Sequence, residues 1–342
     1  MSSTPRVETI TLGDELLLGI RENAHLTYLG NQLAHHGLEA AANLVIKDDP
    51  EEIRLFFAES WERADVVITT GGLGPTSDDL TRETIAKFLG EELIFDESVE
   101  QHIKERFSLL DRTMPEINLR QCYRPESAEI LANPYGTAPG LFIKKDGKIL
   151  VMLPGPAREM HPMFEEQVVP RLQEAGIFPE IDCYLQLRTA GIGESDLAEK
   201  VGHLLEGRKG LIVGYCAHAG MVDLRLSSLD GEVLSQEQLT QIGEACCEAI
   251  GEDFVCFGDR TIAEVIFREL RMLGKTLAVA ESCTGGLLSA SFTEIAGISK
   301  VFHGGAVCYH NDAKVQMVDV PESMLGQHGA VSEEVAIAMA TG

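Results

Sequence analysis

The residues best placed to do chemistry fall in one run, Thr70-Gly71-Gly72-Leu73-Gly74-Pro75-Thr76-Ser77-Asp78-Asp79. Glycines between a strand and a helix let backbone N–H groups point at an oxyanion. Thr76 joins Gly71, Gly72 and Gly74 as a candidate substrate contact. Asp78 and Asp79 would repel a bare phosphate, so this pattern calls for a divalent metal bridging the acids and a diphosphate. The alternative is a plain loop in which Asp78 caps a helix. A second run, Glu281-Ser282-Cys283-Thr284-Gly285-Gly286, sets a serine ahead of two glycines at a strand-to-helix turn. That suits a nucleophile whose oxyanion is met by backbone amides. Lys314 is a candidate base, since a partly desolvated lysine can take a hydroxyl proton. Cys283 is a rival nucleophile, and in the competing reading Ser282 caps a helix and Lys314 is a surface charge.

These runs need elements to hold them. Val66–Thr70 is β-branched and reads as a buried strand of a parallel sheet. Ile85, Phe88 and Leu89 follow at helical spacing, and Gly90 stops that helix. Upstream, residues 7–13 form a strand ahead of Asp14-Glu15, and a helix runs from Asn23 to His36 with Leu26, Leu29, Leu33 and Ala34 on its apolar face. Leu44-Val45-Ile46 is a short strand, and Pro50 opens a helix over 51–63. Alternating strands and helices predict an α/β, doubly wound sheet with ligands at the strands' carboxyl ends. Asp14, Asp48, Asp49, Asp78 and Asp79 all fall at that edge. A charged helix follows, with Val99, Ile103, Phe107 and Leu110 on one face. Next come a turn at 133–140, a hairpin turn at 144–148, a return strand at 149–153 and a helix over 157–174. The turns at 133–140 and Pro154-Gly155-Pro156 either line the same mouth or are ordinary tight turns.

Gly176, Pro179 and Ile181 mark a boundary. Residues 182–255 read as a small α+β unit, with strands at 184–189 and near 211–228 and helices after Gly193 and over 236–250. Gly191-Ile192-Gly193 is only loosely like a nucleic-acid-binding loop, and no basic surface supports it. The third segment has a helix from Thr261 through Leu273, a strand at 275–280, another at 305–309, and a helix opened by Ser332-Glu333-Glu334.

Composition narrows the classes. The 342 residues suffice for two or three domains, and 54 acids against 28 bases leave a net charge of −26. That disfavours nucleic acid and anionic membranes as partners, while small anionic ligands remain reachable through local donors or a metal. A cytoplasmic location is expected, from the lack of a signal-like start or a membrane-length apolar run. Eight cysteines, at 122, 183, 216, 246, 247, 256, 283 and 308, form no C-x-x-C pair, so neither a zinc site nor a disulfide framework is expected.

The sequence resembles the CinA family over essentially its whole length. The resemblance is carried, in the family's order, by Gly13-Asp14-Glu15, Thr70–Asp79, Asn133–Gly140, Leu153-Pro154-Gly155 with Glu159-Met160, Gly191–Ser195, Glu281–Gly286 and Tyr309-His310-Asn311. It implies a molybdopterin-binding-like domain at 1–175, a KH-like α+β domain at 176–257 and a partial nicotinamide-nucleotide amidase domain at 258–342. The implied activities are a metal-dependent ADP-ribose pyrophosphatase and deamidation of nicotinamide mononucleotide, both in pyridine-nucleotide recycling. By the same resemblance Asp49 and Asp79 match acidic active-site positions, and Gly71, Gly72 and Gly74 match the ligand loop; Asp49, Asp78 and Asp79 together are the expected metal ligands. Co²⁺ or Mg²⁺ is the implied metal, with K⁺ a further candidate. Ser282 matches the amidase nucleophile, Tyr309 and Lys314 match residues that orient and deprotonate it, and Thr284, Gly285 and Gly286 match substrate contacts; no cofactor is implied there. A homodimer is expected. The alternative is a pterin- or nucleotide-binding or protein-interaction module in competence and damage responses. In the family the last domain continues past a Thr-Gly-Ile-Ala-Gly-Pro segment, whereas this sequence ends at Gly342, so the amidase unit is expected to be incomplete.

Overall fold

The computed structural model describes residues 4–178, 184–228 and 234–342. Pro179 and Ile181 of the expected boundary, and Cys183, lie outside the described residues. The N-terminal part runs β1 (Val7–Leu12), α1 (Asp14–Leu17), α2 (Ala24–His35), β2 (Ala40–Ile46), α3 (Pro50–Arg63), β3 (Val66–Thr70) and α4 (Thr81–Leu89). It continues with β4 (Leu93–Phe95), α5 (Glu97–Ser108), β5 (Tyr123–Pro125), β6 (Glu129–Leu131), β7 (Gly140–Lys145), β8 (Lys148–Leu153), α6 (Ala157–Met163) and α7 (Val169–Glu174). One sheet has the order β2-β1-β3-β8-β7-β6, and β4 pairs with β5 apart from it. The pairings among β2, β1, β3 and β8 are parallel, while β7 runs antiparallel to β8 and to β6.

Every residue of β1 and β3 is buried because helices cover both faces of the sheet. Val66 and Ile68 point into a core with Leu29 and Leu33 of α2 and Met160 of α6, and Val67 points the other way, to Phe57 of α3 and Ile85 of α4. The alternation is that of any strand. Leu26, expected on the apolar face of α2, is 38% exposed, and Leu110 lies past the end of α5 in solvent. The β7–β8 turn places Asp146 (φ 53°) and Gly147 (φ 78°) in the left-handed region, the two-residue geometry that matches strand twist. The expected helix over 157–174 is interrupted by a π turn at Phe164–Val168. Pro170 has no N–H to offer the preceding turn, and the wider π turn accommodates its ring.

The middle part comprises β9 (Tyr184–Ala190), α8 (Glu194–Leu205), β10 (Leu211–His218), β11 (Met221–Ser228), α9 (Gln236–Ile250) and β12 (Phe254–Phe257), with sheet order β10-β11-β9-β12. Strand β12 was not expected; four residues after a helix carry too short a pattern to show a period. The C-terminal part runs α10 (Ile262–Leu273), β13 (Leu277–Glu281), α11 (Leu287–Thr293), β14 (Phe302–Val307), α12 (Asn311–Val318), α13 (Glu322–His328) and α14 (Glu333–Thr341). Thr261 and Glu264 close a capping box on α10. Strands β13 and β14 are parallel, with one core formed by α10, α11 and Phe302 and another by α12, α14 and Cys308. By contacts the chain divides into two compact units, and segments of the middle sheet fall in each. No helix among the described residues is long and apolar enough to cross a membrane.

Candidate active sites

Strand order turns at β1, with β2 to one side and β3 to the other, and crevices open at the carboxyl ends of strands at such a point. The loop after β3 builds one. Gly71 and Gly72 hold φ of 99° and 66°, and a Cβ on Gly72 would lie 1.9 Å from the Thr81 hydroxyl. That hydroxyl donates to the Gly71 carbonyl at 3.2 Å, so Thr81, fully buried at the start of α4, pins the turn. The Gly71 amide is committed to the Leu153 carbonyl at 3.0 Å, so it is not available as an oxyanion donor, while Gly72, Leu73 and Gly74 line the cleft beside it. Asp79 accepts from the Thr76 amide at 2.9 Å and from the Thr76 hydroxyl. A Cβ on Gly74 would lie 2.4 Å from the Asp79 carboxylate, so only glycine leaves Asp79 its seat. Arg120 clasps the loop from behind, donating to the carbonyls of Pro75, Thr76 and Asp79.

The cleft has a volume of about 620 Å³; Glu15, Glu22, Asp48, Asp78, Asp79 and Glu159 line it, and among the described residues Arg21 is its one lysine or arginine. Burial, then the charges of Asp14, Glu15, Asp79 and Asp78, push the Asp48 carboxyl up to about 6. Asp78 goes the other way, drawn below the carboxylate range by a hydrogen bond from Thr76, whose hydroxyl also serves Asp79, and by the Arg120 charge. His25 lines the same cleft with Nδ1 2.8 Å from the Thr70 hydroxyl, and burial keeps its imidazole below the ordinary range. Glu159 accepts from Asn133 Nδ2 at 2.8 Å, and that amide also holds the Ala138 carbonyl at 2.7 Å, which brings the 133–140 turn to the cleft. The Pro154–Pro156 turn lines it too.

Three sequence expectations change here. Asp49 does not face the cleft: its Oδ1 accepts from the Glu51 and Glu52 amides and caps α3, leaving Asp48 as the inward acid. The signal was present, since a proline at the first helical position makes the residue before it the cap. Thr76 is exposed and serves Asp79 instead of lining the cleft. Asp78 caps nothing, because the N-cap of α4 is Leu80 with no side-chain bond. Glu15, His25, Gln121 and Glu159 line the cleft although local sequence pattern does not place them there. Their positions depend on loops closing from distant sequence, which no local pattern records.

Among the described residues no three His, Cys, Asp or Glu side chains are grouped as a ready metal site. The donors in the cleft are hard carboxylate oxygens under mutual repulsion, which suits Mg²⁺. That ion commonly takes one or two carboxylates and completes its shell with substrate phosphates and water.

The second site lies where β13 and β14 end side by side. Lys314, expected either as a base or as a surface charge, is 1% exposed, and its Nζ donates to the carbonyls of Cys308 (2.8 Å) and Tyr309 (2.9 Å). The Cys308 amide in turn donates to the Glu281 carbonyl at 2.7 Å, so the residue before Ser282 and the partner of Lys314 are joined directly. Ser282 does not cap α11; that position belongs to Gly286 at φ 101°, with Gly285 at φ 61°. Thr284 donates its hydroxyl to Glu281 at 2.8 Å, committing it to the turn. Tyr309 is 74% exposed, so its backbone carbonyl is its contribution to holding Lys314, and Cys283 is exposed.

Residues 8–174 match the family model of a probable molybdopterin binding domain, 186–255 that of the damage-inducible protein CinA KH domain, and 259–342 that of the CinA C-terminal domain. A CinA-like protein of Kosmotoga olearia is 40% identical over 341 residues, covering 98% of this chain and 82% of its own length. A protein of Clostridium botulinum named for competence and damage induction is 38% identical with the same coverage. The solved structure of CinA from Thermoplasma acidophilum is 34% identical over 49% of this chain and 98% of its own, with a TM-score of 0.46.

Proposed function

The chain belongs to the CinA family, and on that premise we propose that it is a hydrolase of pyridine nucleotides with two separate sites. The N-terminal cleft cleaves the diphosphate of ADP-ribose to AMP and ribose 5-phosphate. The observation that carries this is the pair of opposed carboxyls beside a glycine loop: Asp48 raised to about 6 and Asp78 held low. Carboxyls pushed apart in this way divide proton transfer from charge stabilisation. Asp48 is able to take a proton from water near neutral pH, and the amides of 72–74 meet charge developing on the phosphate oxygens. Asp78 and Asp79 would hold a divalent ion, Mg²⁺ or Co²⁺, together with the substrate's own phosphate oxygens; it would neutralise the diphosphate against this acidic wall and leave Asp48 free of the metal. At the C-terminal site Ser282 Oγ attacks the carboxamide carbon of nicotinamide mononucleotide. Lys314, with two N–H bonds directed at carbonyls, receives the serine proton and returns it to the departing ammonia; water then releases the acid.

Product analysis of the purified chain with each substrate, with Mg²⁺ or Co²⁺ and with chelator, tests both halves. Metal-dependent AMP lost in Asp79→Ala, and ammonia lost in Ser282→Ala, are the expected results. A second reading, a pterin- or nucleotide-binding module without turnover, draws on the lack of a ready ligand trio among the described residues. Saturable ADP-ribose binding with no product would decide for it.

A further inference from the structure

Glu281 is buried at 3% exposure, yet among the described residues no lysine or arginine pairs with it in the bonds it makes. Its carboxylate is taken up wholly by the turn that carries Ser282. Oε2 accepts from the Thr284 hydroxyl at 2.8 Å and the Leu288 amide at 2.9 Å, and Oε1 accepts from the Ser289 amide at 2.8 Å and the Ser289 hydroxyl. The facing strand makes room for this: a Cβ on Gly305 would lie 2.1 Å from the Ser289 hydroxyl. Meanwhile the Glu281 carbonyl accepts from the Cys308 amide, and the Cys308 carbonyl accepts from Lys314 Nζ. One residue therefore closes the turn around Ser282 with its side chain and ties that turn to the lysine's anchor with its backbone.

We propose that Glu281 is the positioning residue of the C-terminal site, fixing where Ser282 stands relative to Lys314. The inference rests on the amidase reading and deepens it. Four donors converge on two oxygens, so an acceptor-only carboxylate is required; a glutamine would aim its own N–H bonds at donors. The hydrogen bonds, that of the Ser289 hydroxyl first, hold the carboxyl down to about 2, so it stays ionised across the working range.

The test compares wild type, Ser282→Ala, Glu281→Gln and Ser289→Ala for labelling by a fluorophosphonate, for ammonia release from nicotinamide mononucleotide, and for thermal unfolding. Misplacing a nucleophile by about 1 Å costs on the order of a hundredfold. The expected result is that Glu281→Gln loses labelling and kcat by that order, KM unchanged, while Ser289→Ala, which keeps the charge, loses about tenfold. If Glu281→Gln does not fold, the graded loss in Ser289→Ala with an unshifted melting point carries the claim. Labelling of Ser282 that depends on Glu281 without ammonia release supports the positioning role and overturns the amidase reading. Labelling at the wild-type rate in both variants, or no labelling of Ser282 in wild type, overturns the proposal.

Discussion

Asp48 and Asp49 are adjacent acids with opposite roles. Asp49 stabilises a helix end, and Asp48 is left among four other acids where burial and repulsion raise its carboxyl to about 6. The sign of the stability effect follows. An ordinary aspartate titrates near about 3.9 when unfolded, so between roughly pH 4 and 6 the folded chain binds more protons, and stability rises on acidification through that window. At neutral pH the ionised Asp48 is a liability to the metal-free fold. Asp48→Asn should raise the melting temperature in chelator at pH 7.5, and the gain should shrink toward pH 5. Melting curves of both proteins across that range check this; a variant that melts lower throughout would contradict it. Asp49→Ala should instead lose a cap, about 1 kcal/mol of stability, read from the melting curve at neutral pH.

Elements were legible where local pattern and final environment agree. Val66–Thr70 reads as a buried strand because it is β-branched throughout and is covered on both faces. Asp146-Gly147 reads as a hairpin because only such residues take positive φ readily. What stayed hidden is contact across sequence distance: Arg120 holding carbonyls more than forty residues away, or Asn133 joining Glu159. Gly147 and Gly72 test how much the glycine loop depends on such contacts. Both have positive φ, but a Cβ on Gly147 meets nothing within 4 Å, whereas on Gly72 it collides with Thr81. Gly147→Ala should cost about 1 kcal/mol and Gly72→Ala clearly more, measured by denaturant unfolding. In the middle sheet Asp223 is 1% exposed; burial alone would raise its carboxyl, but bidentate Arg188 and then His218 bring it below the usual range. That contribution is present above about pH 4 and is lost as pH falls through the depressed value. Asp223→Asn should therefore cost about 3 kcal/mol or more at neutral pH, by leaving Arg188 uncompensated. Equal stability of variant and wild type would contradict the pair's role.

At the scale of the whole molecule, three matched family regions follow one another on one acidic chain. The net charge of −26 opposes polyanionic partners, and under the proposed function backbone amides and a bound cation would offset that bias in the cleft. The central claim is that this cleft hydrolyses a diphosphate with Asp48, and not Asp49, as its working acid. AMP formation from ADP-ribose in Mg²⁺ or Co²⁺ should be compared for wild type, Asp48→Asn and Asp49→Ser, the last preserving the helix cap. The account predicts metal-dependent AMP from wild type and Asp49→Ser, and loss of at least about a hundredfold in Asp48→Asn. Full turnover by Asp48→Asn with none by Asp49→Ser would contradict it.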